Sequence, residues 1–136
     1  MKYLLLLLSF FCLERSYSQT DKSISLIKIV KTDFNIETIV SVSCEQFNSM
    51  FPKEEIDTFY IYDKLRQQKI FKFINSAKIR KEYRQPPDTR ARMFIYYKSG
   101  KVDSICLSGT TIFSLNDKVM LLPNRGLIEM LERLKK

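Results

Sequence analysis

The sequence predicts an α+β domain, mainly an antiparallel sheet of hairpins with one or two packed helices, including a C-terminal helix. Short alternating apolar segments separated by turn residues indicate strands. Ser99-Gly100 and Asn116-Asp117 each lie between two such segments, as expected of tight hairpin turns. Two further segments space their apolar residues for one face of a helix.

The first strands predicted are Ser23–Lys31 and Ile36–Cys44, both rich in β-branched residues. Residues 32–35 break the apolar pattern between them. We therefore expect the two segments to pair as an antiparallel hairpin. Strand alternation then places Cys44 on the same side as Val42, which suits a core position.

The centre of the chain predicts a helix with a defined start. Glu45–Phe51 favours a short helical turn, which the following proline stops. Ile56–Tyr62 favours a strand that ends at Asp63, whose carboxylate would cap a helix over Lys64–Ser76. One continuous helix from Glu54 remains the alternative for this region.

The second half predicts two hairpins and a final helix. The strands pair as Arg90–Lys98 with Lys101–Leu107, and as Thr110–Leu115 with Lys118–Leu121. Before them, Lys78–Asp88 is a connector, because Pro86-Pro87 forbids a helix there and favours an exposed, extended path. After them, Asn124 is the expected cap of a C-terminal helix striped with leucine and methionine.

The N-terminus predicts export. Residues 1–18 combine a basic start, an apolar run too short to span a bilayer, and small residues before an expected cut after Ser18. Residues 19–136 then form a single small domain, with no transmembrane span after processing. An uncleaved anchor and lipid attachment at Cys12 are the alternatives.

Two cysteines, Cys44 and Cys106, remain in the processed chain. An even pair in an oxidising compartment invites a disulfide. Two separate buried thiols are the alternative, because free cysteine packs as a small hydrophobic residue.

Positive charge is concentrated in one part of the chain. The whole chain carries a net charge of +8, and residues 64–92 hold ten basic residues against two acids. Arginines bracket the expected Pro-Pro loop, where functional residues are often exposed. We expect these residues to form one exposed patch that recognises an anionic partner: Arg80, Lys81, Tyr83, Arg84, Arg90 and Arg92.

Aromatic residues offer a second surface. On a half-buried sheet face, tyrosine is common both in plain packing and at protein interfaces. The candidates for a sheet face that binds a partner are Tyr60, Tyr62, Tyr96 and Tyr97.

The composition speaks against catalysis. The chain has no histidine, so Ser-His and Cys-His relays and histidine metal ligands are excluded. The three glycines form no phosphate-binding loop. The sequence therefore predicts a protein that is not an enzyme, with no catalytic, cofactor or metal site.

Residues 90–134 carry a strand, the Ser-Gly turn, the strand VDSICLSG, a short hairpin around Asn116-Asp117 and a leucine-striped helix. Together with a leader ending Ser-Tyr-Ser-Gln, this pattern resembles small uncharacterised exported proteins of Bacteroidetes-type bacteria. The resemblance implies a periplasmic or envelope location, and it implies no activity and no site residues.

Two functions follow as expectations. The first is a small exported, non-enzymatic binding or inhibitor-type module that acts through the basic arginine loop. The alternative is a structural or accessory partner of a larger envelope assembly, using an apolar sheet face. The expected partner is an anionic envelope polymer or an acidic protein surface, and no nucleic acid is expected outside the cytoplasm. The sequence leaves the oligomeric state open.

Overall fold

A computed structural model describes residues 23–82 and 85–135 as a seven-stranded antiparallel sheet with helices. The predicted signal peptide, residues 1–18, lies outside the described residues. The strands are β1 (Ile24–Lys31), β2 (Asp57–Ile61), β3 (Lys78–Ile79), β4 (Thr89–Tyr97), β5 (Val102–Ser108), β6 (Ile112–Leu115) and β7 (Lys118–Leu121). Their order across the sheet is β2-β1-β4-β5-β6-β7-β3. The predicted α+β class is confirmed.

Within the described residues, three α-helices accompany the sheet: α1 (Phe47–Met50), α2 (Lys64–Asn75) and α3 (Gly126–Glu132). The Asp63 carboxylate accepts hydrogen bonds from the backbone N–H groups of Leu65 and Arg66, at 3.4 and 3.0 Å. The predicted cap of α2 is therefore confirmed, as is the strand that precedes it. At α3, the Asn124 side chain accepts a hydrogen bond from Gly126 N, although the cap position itself is Arg125.

The two faces of the sheet differ in what covers them. Cross-strand register places Ile27, Ile95 and Ile61 on one face, which α2 and α3 cover. Both helices contribute fully buried side chains to that core, such as Ile70 and Leu131. Because strand side chains alternate, the even-numbered residues of β4, and those of β1 from Leu26 onward, lie on the opposite face. Ile24 precedes an irregularity in the register of β1 and packs in the helix-covered core. That opposite face carries no α-helix of similar length among the described residues.

The predicted hairpin between Ser23–Lys31 and Ile36–Cys44 is wrong in its second strand. Both edges of β1 are occupied by strands distant in the sequence, namely β2 and β4. Residues 36–44 instead run as irregular backbone, and the side chains of Ile39 and Val40 are exposed. Their β-branched composition favoured a strand, but neither edge of β1 was left for them to pair with.

The two local hairpins form as predicted. Gly100 has a φ of +85°, and Asn116 and Asp117 have φ values of +46° and +68°. Positive φ at both central residues is the requirement of the tight turn between β6 and β7. The expected connector over Lys78–Asp88 differs in two details. Its first two residues form β3 and pair with β7, and Pro87, which was expected on an exposed path, is buried.

A polar network around the buried carboxylate of Asp103 joins these two hairpins. The Asp103 carboxylate accepts hydrogen bonds from Tyr97 Oη at 2.8 Å and from Asn116 Nδ2 at 3.0 Å, and it pairs with Lys101 Nζ at 3.0 Å. Burial alone would raise the pKa of Asp103, but these hydrogen bonds and the Lys101 charge together lower it below its ordinary value. Burial and the same carboxylate raise the pKa of Tyr97. The network fixes the β4–β5 pair against the β6–β7 turn.

Candidate binding surface on the open sheet face

The sheet face opposite α2 and α3 is called here the open face. Alternation and register assign to it residues from six strands: Leu26, Lys28, Tyr60, Arg92, Phe94, Tyr96, Val102, Ser104, Ser114, Val119 and Leu121. Tyr60 and Val102 are 54% and 44% exposed, and Tyr62, just beyond β2, is 67% exposed. Most of the remaining members are half-buried.

One part of this face is covered by residues 36–56, which we call the cover segment. Val42, Phe47 and Phe51 form a small second core there, packed against Val30 of β1. A disulfide joins Cys44 of the cover segment to Cys106 of β5, with the two Cα atoms 5.8 Å apart. Of the two outcomes that the sequence allowed, a disulfide or two separate thiols, the structure has the disulfide.

Two cations lie on the open face beside aromatic rings. Lys28 Nζ is 5.9 Å from the ring centroid of Tyr60. The guanidinium carbon of Arg92 is 5.0 Å from the ring centroid of Phe94. Within residues 23–82 and 85–135, neither cation forms an ion pair. Both charges are therefore held against rings and, among the described residues, neither contacts a carboxylate in a salt bridge.

Arg92 has an unusual environment for a surface arginine. Its Nε atom is buried and has no hydrogen-bond partner among the described residues. Glu45 interacts with Arg92 only through space. Hydrogen bonds from the Glu45 backbone and Ser43 lower the pKa of Glu45, and the Arg92 charge adds a smaller effect. A buried donor without a partner costs free energy. The Phe94 ring and the neighbouring disulfide hold the Arg92 side chain in place despite that cost.

Arg90 does not belong to an exposed patch, and its assignment as a surface residue is wrong. Its side chain is 6% exposed and makes a bidentate pair with Asp88, with both nitrogen-to-oxygen distances at 2.8 Å. The same guanidinium donates to the Ile36 carbonyl, the Thr89 carbonyl and the Thr38 hydroxyl. All three guanidinium nitrogens of Arg90 are hydrogen-bonded, and two of them link β4 to the start of the cover segment.

Arg80 and Arg92 lie on the same face but far apart. Arg80 N donates to the carbonyl of Val119, which continues the β3–β7 ladder and places Arg80 in the row that contains Ser114 and Arg92. Four strand spacings separate β3 from β4, about 19 Å. Arg80 also pairs with the exposed carboxylate of Glu82 at 3.3 Å.

Of the three remaining members of the predicted patch, the structure describes one. Lys81 is exposed in the turn after β3. Tyr83 and Arg84 lie outside the described residues. The structure therefore does not bring the four described members, Arg80, Lys81, Arg90 and Arg92, together as one cluster. Arg92 lies on the open face at the border of the cover segment, because its cross-strand neighbours Val30 and Cys106 both contact that segment.

Sequence reasoning named three of the surface tyrosines but not their cationic neighbour. Tyr60, Tyr62 and Tyr96 are on or beside the open face, as the tyrosine hypothesis required. Tyr97 lies on the opposite face, where its hydroxyl bonds to Asp103. Lys28 was missed because its place opposite Tyr60 depends on the register of β1 against β2, two strands that are distant in sequence.

Comparisons with protein-family models, with curated proteins and with solved structures found no match to this chain. Among the described residues, none of the helices combines the length and the apolar character needed to cross a membrane.

Proposed function

We propose that this protein is a small exported binding module, and not an enzyme, that docks an acidic protein surface on its open face. The observation that carries the proposal is a pair of cations, Lys28 and Arg92, that lie against the rings of Tyr60 and Phe94 and form no salt bridge among the described residues. Export is supported by the leader and by the Cys44–Cys106 disulfide, which is typical of oxidising compartments.

The shape and chemistry of the face favour a protein as the partner. The face is part of a broad sheet and presents tyrosine, phenylalanine and arginine, residue types that are enriched at protein interfaces. Half-buried aliphatic side chains such as Leu26 and Val119 lie between them. A buried aromatic centre supplies affinity, whereas flanking cations supply specificity and speed of association toward an acidic surface.

The predicted arginine loop contributes to this proposal in a reduced form. Arg80 and Lys81 lie toward the β3 end of the sheet, about 19 Å from Arg92 by strand spacing. They extend the positive potential without forming the centre of the site. Arg90 is left out because its guanidinium is fully engaged within the fold.

The apolar reading of the same face gives the second candidate, an accessory subunit of an envelope assembly. It is supported by Leu26, Val102 and Leu121, which could pack against a partner without any acidic groups. The two candidates differ in salt dependence. Attraction between exposed charges is screened as the Debye length falls from about 10 Å at 0.1 M salt to about 3 Å at 1 M.

Affinity capture with matched variants tests the proposal. The bait variant is Lys28→Gln/Arg92→Gln, and the control is Lys72→Gln/Lys118→Gln, which removes two exposed cations elsewhere. Envelope extract is passed over each bait at 0.1 M and 1 M salt, and bound proteins are identified by mass spectrometry. We expect an acidic protein to be retained by the wild type and the control, released at 1 M salt and lost from the bait variant.

Other outcomes would overturn the proposal. Equal capture by the bait variant and the wild type would remove Lys28 and Arg92 from the site. Capture that persists at 1 M salt would support the accessory-subunit candidate. Retention of the protein on heparin that depends on Lys28 and Arg92, with no protein partner captured, would point to an anionic polymer. Melting temperatures of all baits establish that folding is retained.

A further inference from the structure

A cleft lies on the other side of the sheet, between α2 and α3. Its volume is about 580 Å³, within the range of small-molecule sites. Apolar side chains form part of its wall, namely Ile61 at the end of β2, Phe73 on α2, and Met130 and Leu134 on or after α3. This cleft is separate from the open face, which lies across the sheet.

The two helices meet at one end of the cleft. Gly126 begins α3 beside the ring of Phe73, and a Cβ atom on this glycine would lie 2.6 Å from the ring. Phe73 belongs to the last turns of α2, so the start of α3 meets the end of α2. The space between the helices is lined at its other end by the first turns of α2 and the last turn of α3.

Four cations line this space. Arg66 and Lys69 come from α2, and Arg133 and Lys135 come from the end of the chain. Among the described residues that line the cleft, Glu129 is the single acid. Arg66 approaches Asp63 at 4.0 Å with both side chains more than half exposed, a contact of little strength.

Like charges gathered in one cleft repel each other and destabilise the fold slightly. A fold that merely needed soluble helix faces could turn these side chains away from each other. Here residues far apart in sequence bring a positive charge of three to one wall with apolar groups beneath it. A ligand that matches both features has an anionic head and an apolar body.

We infer that this cleft binds an anionic amphiphile, with its phosphate or carboxylate head among Arg66, Lys69 and Arg133, and its apolar body along Phe73 and Met130. Arginine and lysine bind such heads through charge-assisted hydrogen bonds. The inference does not depend on the open-face function, because none of these residues lies on that face.

Binding of dodecyl phosphate, kept below its micelle concentration, tests the inference on the processed chain. Two comparison ligands separate the features. Inorganic phosphate is the anionic head without a tail, and dodecyl maltoside has the same tail on an uncharged head. We expect saturable one-to-one binding of dodecyl phosphate in titration calorimetry, with both comparison ligands at least about tenfold weaker. In NMR spectra, the Met130 methyl resonance should shift with the same saturation curve.

The variant Lys69→Gln/Arg133→Gln should weaken dodecyl phosphate binding about tenfold or more, since it removes two charge-assisted contacts. Lys72→Gln, a neighbouring exposed lysine of α2 that does not line the cleft, should bind as the wild type does. Equal binding of inorganic phosphate or of dodecyl maltoside would contradict the inference. An equal loss in the Lys72 variant, or no binding of dodecyl phosphate, would also overturn it.

Discussion

Replacing Arg90 with alanine tests whether this arginine stabilises the fold or is an exposed residue of a binding surface. The guanidinium makes five hydrogen bonds of 2.8 to 3.1 Å, two of them to Asp88. Asp88 in turn accepts a hydrogen bond from Val42 N at 2.7 Å. Loss of Arg90 therefore frees both the start and the middle of the cover segment.

The magnitude follows from burial. Removing one partner of a buried ion pair costs about 3 to 5 kcal/mol. The Arg90 side chain is 6% exposed, but that of Asp88 is 43% exposed, so water can solvate the carboxylate that remains. We therefore expect the lower end, about 3 kcal/mol, for Arg90→Ala. Arg90→Lys should recover part of this loss, because lysine keeps the charge but not the two-pronged geometry.

Urea unfolding at pH 7 measures this difference. With a slope of about 1.5 kcal/mol/M, a loss of about 3 kcal/mol lowers the midpoint by about 2 M. Arg80→Ala is the control, because Arg80 and Glu82 are 43% and 81% exposed and their pair should contribute less than about 0.5 kcal/mol. A loss for Arg90→Ala as small as that of the control would refute the structural role of Arg90.

Three further predictions concern stability. Reducing the Cys44–Cys106 disulfide, which spans a sequence separation of 62, should lower the unfolding free energy by about 4 kcal/mol, and unfolding with and without reductant checks this. Asp103→Asn should cost about 2 kcal/mol at pH 7. Folding lowers the pKa of Asp103, so its contribution to the unfolding free energy is full above the ordinary pKa of 3.8 and is lost as the pH falls through the folded-state pKa. Unfolding curves of the wild type and of Asp103→Asn, measured at decreasing pH, should therefore converge in acid. Asp117→Gly should raise the unfolding free energy by up to about 1 kcal/mol, since glycine accepts the φ of +68° without strain. A melting temperature that does not rise in thermal unfolding would count against the turn assignment.

Local signals in the sequence were sufficient for several elements. The Asn116-Asp117 and Ser99-Gly100 turns act over a few residues, so the hairpins around them could be read directly. The Asp63 cap of α2 is equally local, because the carboxylate reaches backbone groups only two and three residues away.

Non-local competition explains the main error in the fold. Residues 36–44 have the composition of a strand, but β1 pairs on one side with β2 and on the other with β4. Composition cannot tell which of several candidate strands wins a sheet edge. The disulfide then joins this irregular segment to the sheet at Cys106, a pairing that the sequence could name only as one of two outcomes.

The sequence predicted which types of residue form the candidate site, arginine and tyrosine, better than it predicted where they lie. Arginine near a Pro-Pro loop suggested exposure, yet Arg90 is buried because Asp88 and two backbone carbonyls happen to surround it. Arg92, two residues later, follows the strand alternation to the same side of the sheet and remains without an ion pair among the described residues. Its companion Lys28 could be assigned to the surface only after the β1 register was known.

Site-specific photo-cross-linking tests the proposed docking face most directly. A photoreactive phenylalanine analogue replaces Tyr60 or Tyr96 on the open face, or Gln68 on α2 as the control, in cells that produce the protein. We predict a cross-linked acidic protein from positions 60 and 96, absent at position 68, and lost when Lys28→Gln/Arg92→Gln is added. Cross-links of equal yield from all three positions, or cross-links from position 60 that survive the charge substitutions, would contradict the account.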